Sequence, residues 1–181
     1  MKKLLLVTSL TCGLVSAMAQ GTFQFTANLN GANEVPPNGS PGFGSGTLTL
    51  SGTTLSYLFT TSIFFQDGAA ATDVTLNGPA SAGSTAPVLF DLGAPTLIPM
   101  QPPPGAYYSL PGTIDNLTSG QINDLSAGLW YVNVFTSSAN YPGGEIRGQI
   151  LPVPEPGAGA LAALGAGLIL LARQRPKQPK H

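Results

Sequence analysis

The sequence contains one cysteine, Cys12, and one histidine, His181, and both lie in its end segments. Residues 20 to 150 have neither. That stretch therefore has no disulfide, no thiolate nucleophile and no zinc site built on cysteine or histidine. Ser-His-Asp and Cys-His arrangements are excluded with them. Charge is scarce as well, at 8% of residues, against roughly 25% in an average soluble domain. Arg147 is the only basic residue between 20 and 150, against Glu34, Asp67, Asp73, Asp91, Asp115, Asp124 and Glu145. One positive and seven negative charges give a formal −6. A surface of that sign has nothing with which to neutralise phosphates, so nucleic acid is not an expected partner. With 23 glycines and 17 prolines, turns are favoured over long helices.

What is present begins with a leader. Lys2-Lys3 is a short positive start, residues 4 to 16 are mostly apolar, and Ala17-Met18-Ala19 follows. Small residues at Ala17 and Ala19 match what a signal peptidase reads, so residues 1–19 are expected to be a signal peptide cleaved after Ala19. Ser9 stands where a lipoprotein signal would need leucine before Cys12.

The middle alternates. Phe23, Phe25, Ala27 and Leu29 fall on one face of an extended segment, with Thr22, Gln24, Thr26 and Asn28 on the other. Residues 36 to 42, PPNGSPG, form a turn-rich loop. Residues 46–50 and 53–61 predict a hairpin about Ser51-Gly52. A weaker strand is expected over 70–76, and a short buried strand at Val88-Leu89-Phe90. Residues 93–105, with Pro95, Pro99, Pro102, Pro103 and Pro104, are expected to be loop. Thr118 with Gln121 three residues on predicts a capped helix over 118–127, ended by Gly128. Residues 130–136 and 145–150 complete the strands. Seven or eight short strands predict an all-β domain, a Greek-key-like β-sandwich or partly open barrel with one short helix.

These residues resemble a known family. FTANLNGANEVPP (25 to 37), GSGTLTLSGTTLSY (44 to 57), PVLFDL (87 to 92), NLTSGQINDLSAGLWYVNVFT (116 to 136) and YPGGEIRGQI (141 to 150) are similar, in order and spacing, to the CHRD domain, named for its occurrence in chordin. Chordin is an extracellular antagonist of growth factors, and a shared fold does not carry that role over. Many bacterial members have a His-x-His-Gly pair and a further histidine in an Asn-Val-His-Thr segment. Here those places read Thr75-Leu76-Asn77-Gly78 and Asn133-Val134-Phe135-Thr136, so any histidine metal site of the relatives is lost.

The far end is apolar and then basic. A proline-rich linker, 152–157, precedes the uncharged stretch AGALAALGAGLILLA at 158–172 and the basic tail 173–181. Such a stretch predicts a transmembrane helix with its basic end in the cytoplasm, although it is shorter than the roughly 20 residues of a comfortable span. Pro154-Glu155-Pro156, the apolar run and Arg173 and Arg175 together resemble the PEP-CTERM sorting signal. The resemblance implies an exosortase-type processing enzyme as a partner, after signal peptidase. It also implies inner-membrane anchoring followed by release to the cell envelope, surface or extracellular matrix.

Chemistry in the middle is limited to carboxylates, without the spacing of a calcium loop. An acid pair would be needed for glycan hydrolysis. Trp130 is expected in the core, with a sugar-stacking platform as the other reading. Tyr107 and Tyr108, beside the proline-rich loop, are candidates for exposed ligand contacts. Glu145 and Arg147, two apart on a strand, share a face, as a polar recognition spot or a surface ion pair. The expected function is that of a non-enzymatic envelope or matrix protein, structural or adhesive, that meets polysaccharide or surface proteins. A carbohydrate- or calcium-binding module is the alternative and a glycan hydrolase a minor one. No cofactor is expected.

Overall fold

A computed structural model describes residues 21–64, 69–98 and 105–154. The elements in order are β1 (Thr22–Asn30), a 3-10 turn (Gly31–Asn33), β2 (Phe43–Ser51), β3 (Thr54–Phe64) and β4 (Ala71–Asn77). Then come β5 (Val88–Gly93), β6 (Thr96–Ile98), β7 (Gly105–Ile114), α1 (Ser119–Ser126), β8 (Tyr131–Thr136) and β9 (Ile146–Pro152). All nine strands belong to one sheet, in the order β5-β4-β8-β9-β1-β2-β3-β7-β6, and every pairing is antiparallel.

The alternating side chains decide how this sheet closes. Phe25, Ala27 and Leu29 of β1, Leu48 and Leu50 of β2, and Leu55 and Phe59 of β3 are all buried. Val74, Leu76, Val132, Val134, Ile146 and Ile150 bury the same face of β4, β8 and β9. With no second sheet among the described residues to cover it, the apolar face is satisfied by the sheet curling on itself. Each large side chain so buried contributes roughly 1.5–3 kcal/mol. Leu125 of α1, fully buried, and Leu117 help close the core. Thr118 caps α1 by accepting from the Gln121 N–H, while Gln121 accepts from the Thr118 N–H. Gly128 follows with φ of 70°, the left-handed turn that ends a helix without strain at glycine.

Three expectations are corrected. The sandwich or partly open barrel accompanied by a spanning helix gives way to a curled nine-stranded half-barrel with one short helix. Among the described residues no helix is long and apolar enough to cross a membrane, and the expected helix over 158–172 lies outside them. Val88-Leu89-Phe90 is the start of an edge strand, not a buried one, with Val88 53% exposed. Residues 93–105 contain β6 and the start of β7. Pro111 is tolerated inside β7 because β6 pairs only with Tyr107–Ser109, leaving an open edge beside the proline.

Candidate functional site

The polar face of the sheet is covered on one side only. On β4, β8 and β9, Thr75, Asn77, Tyr131, Asn133, Arg147 and Gln149 point away from the core. The segment from Gly78 to Pro87 passes over them. It is tied down by hydrogen bonds to side chains of the sheet. The Tyr131 hydroxyl accepts from the Ala86 N–H at 3.0 Å and donates to the Ala86 carbonyl at 3.1 Å. Gln149 Nε2 donates to the carbonyls of Ala80 and Gly128. Arg147 Nη2 donates to the Ser84 carbonyl at 2.6 Å.

A second segment, residues 31–42, closes the neighbouring end. Asn33 Nδ2 donates to the carbonyls of Asn28 and Arg147. Asn38 Nδ2 donates to the carbonyls of Gly144 and Glu145. These two asparagines pin the loop to β1 and β9 and so hold Glu34 between them.

Between the two segments lies a cleft of about 440 Å³, lined by Asn28, Asn33, Glu34, Val35, Arg147 and Gln149 among others. Glu34 and its neighbours Val35 and Pro36 also line a groove of about 250 Å³, together with Tyr141 and Gly144. The Glu34 side chain is thus common to both. Burial pushes its carboxyl up from 4.5 to about 7, against the Arg147 charge and the Val35 N–H, which pull it down. Glu34 Oε1 and Asn133 Oδ1 are buried acceptors without a hydrogen-bond partner. Burial lowers the pKa of Arg147, while Tyr131 and Glu34 act to raise it.

The sequence-expected residues are placed differently from one another. Tyr107 is exposed, at 37%, beside Phe43, Ser45 and Thr60 in a shallow groove. Tyr108, expected to be exposed, is 4% exposed and belongs to the core, because β7 pairs with β3 and turns that side chain inward. Glu145 and Arg147 are both buried, at 2% and 3%, so neither belongs to a surface ion pair. Glu145 Oε1 accepts from Ser40 at 2.8 Å and its Oε2 from Thr136 at 2.6 Å, whereas Arg147 turns to Ser84 and Tyr131. Trp130 is fully buried and packs against Phe90. Pro154 is the last described residue. Glu155, Pro156, Arg173 and Arg175, and Ala17 and Ala19, lie outside the described residues.

Asp73 and Asp91 lie close enough to act on one another. Asp73 has its pKa raised by burial first, and also by the charge of Asp91 and a hydrogen bond with it. Among the described residues no three His, Cys, Asp or Glu side chains gather to hold a metal. On the outward face of β4, Thr75 donates to Asn77 Oδ1 at 2.7 Å. Glu34 and Asn133 were not legible as site residues. The only signal was the unusual Asn33-Glu34-Val35-Pro36-Pro37 run, an acid set within a stiff loop.

Residues 25–150 match the CHRD domain model, well over half of the chain. The chain belongs to the CHRD family. No curated protein and no solved structure matches it.

The match ends before the proline-rich linker and supplies no support for a PEP-CTERM signal or for exosortase processing. With no spanning helix among the described residues, the expected sorted envelope protein, its inner-membrane anchoring and its release to the matrix are withdrawn. The processing-enzyme, polysaccharide and surface-protein partners that rested on that reading are withdrawn as well.

Proposed function

We propose that this chain is exported through its leader and acts as a non-catalytic recognition domain, taking a polar peptide segment in the cleft at Glu34. The cleft lining carries the reading. Asn28 offers a side-chain amide and Asn33 and Gln149 the oxygens of theirs, their nitrogens being held by backbone carbonyls, while Val35, Pro37 and Leu151 offer apolar surface and Glu34 and Arg147 are the charged groups of the lining. Amides suit the N–H and C=O groups of a peptide backbone, and the apolar residues suit its side chains. Export is supported by the basic start, apolar run and Ala-Met-Ala of residues 1–19. Cleavage after Ala19 would leave β1, which starts at Thr22, whole.

The test is amide NMR of the full chain titrated with three capped tripeptides that differ only in the central residue: lysine, glutamine or glutamate. Shifts concentrated at 31–38, 79–86 and 140–149 are expected from at least one of them. Unmoved spectra with all three would overturn the reading. Export is checked by the mass of the chain recovered from an exporting cell, which should begin at Gln20.

A further inference from the structure

We propose that Glu34 and Asn133, with Tyr141 beside them, form a seat for an ammonium group of the kind a lysine side chain carries. This rests on the cleft at Glu34 being a binding site and names the chemistry selected where Glu34 also lines the adjoining 250 Å³ groove.

The observation is a surplus of acceptors. Glu34 and Asn133 are each only 7% exposed, and each holds a buried oxygen with no donor, Oε1 on Glu34 and Oδ1 on Asn133. The two come from different parts of the chain and meet at one place. Gly144 has φ of 124°, and a Cβ there would meet the amide end of Asn133 and, at 2.8 Å, Glu34 Oε1. A buried acceptor left without a donor is costly. A bound group with several N–H donors removes the cost for both oxygens at once.

The surroundings select an ammonium. Glu34 is the only carboxylate lining the 250 Å³ groove, and one carboxylate is too few for a divalent cation. An ammonium needs only a few acceptors and offers three donors. Val35, Pro36, Pro37 and Tyr141 line the same groove, and they suit the methylenes of a lysine stem. The formal −6 of residues 20–150 draws a cation toward it.

The neighbouring charges leave the seat open. Arg147, on β9, directs its guanidinium to the Tyr131 ring of β8 and the Ser84 carbonyl rather than to the Glu34 oxygens, although its charge still acts on Glu34. Glu145, next to Gly144, is held by Ser40 and Thr136. Tyr141, in the β8–β9 loop, is the remaining titratable group facing Glu34 across the groove. The proton is then the natural competitor of the ammonium, because Glu34 keeps its own proton up to about pH 7.

Calorimetry of the full chain with the three capped tripeptides tests this. The lysine peptide is expected to bind at least tenfold more tightly than the glutamine peptide at pH 8, and to weaken up to about tenfold per unit below pH 7. Glu34→Gln should bring the two peptides level. Should that variant fail to fold, the carboxyl carbon of Glu34 in the unaltered chain decides: saturating lysine peptide must lower its titration midpoint. Equal binding of the lysine and glutamine peptides, or an unmoved midpoint, overturns the ammonium seat while the cleft stands as a site. Absence of binding by all three overturns both.

Discussion

The guanidinium carbon of Arg147 lies 3.4 Å from the centroid of the Tyr131 ring. The only cation of the central domain is therefore stacked on an aromatic face under the 78–87 segment, not displayed to solvent. One face of the pair holds β8 to β9, and its polar tips hold the covering segment to both. Stability of the candidate site thus depends on Tyr131 in two separable ways.

Tyr131→Phe should keep the ring under Arg147 and lose both hydrogen bonds to Ala86. The expected cost is about 1–3 kcal/mol, since the Ala86 N–H loses its partner while the Ala86 carbonyl keeps Asn77 Nδ2. Tyr131→Leu should cost roughly a further 1 kcal/mol for the lost cation–π contact. Urea unfolding of the two variants, with hydrogen exchange at Ala86, separates the contributions. Equal stability of the two variants would show that the ring contact contributes nothing.

Acid should stabilise this fold over an interval in which most proteins are indifferent. Glu34 keeps its proton to about pH 7 when folded, against 4.5 ordinarily. Between those values the folded chain binds more protons than the unfolded one, so stability falls as pH rises through the interval. The penalty is fully present above pH 7 and absent below about 4.5, and amounts to roughly 2 kcal/mol after allowing for solvent in the cleft. Asp73, whose pKa is also raised, acts in the same direction. Glu34→Gln should flatten most of this slope in melting temperatures measured from pH 4.5 to 8. An unchanged slope would place the titration elsewhere.

Gly144→Ala should cost about 2 kcal/mol or more. The residue has φ of 124°, where a side chain is strained, and the added carbon would press on Asn133 and Glu34. The disturbance should appear in amide spectra at 31–38 and 133–147 while β2, β3 and β7 keep their shifts. A uniform change across the sheet would contradict a local role.

Thr118→Ala should cost about 1 kcal/mol, by removing the oxygen that accepts from the Gln121 N–H at the start of α1. Thr118→Asp should retain most of the stability. Chemical denaturation of the two variants is sufficient, and an equal loss in both would argue that the capping oxygen is not what Thr118 supplies.

Local pattern carried much of this protein in the sequence alone. Alternation at Phe25, Ala27 and Leu29, a turn at Ser51-Gly52 and the Thr118–Gln121 pair each rest on residues within a few positions of one another. The structure has the corresponding strand, hairpin and capped helix. Composition likewise excluded cysteine and histidine chemistry from residues 20–150. What depended on distant pairing was not legible. The strand β7 follows a proline-rich stretch and contains a proline. It exists because β3 offers it a ladder from Leu55–Ile114 to Phe64–Gly105, and that same ladder turns Tyr108 inward. Glu145 and Arg147 alternate as surface residues do, but segments 31–42 and 78–87, one before and one between the strands they cover, take both out of solvent. The site at Glu34 was decided in the same way. A carboxylate in a loop is solvated by default, and only the approach of β8, β9 and Tyr141 removed its water and left its oxygen, and that of Asn133, without donors.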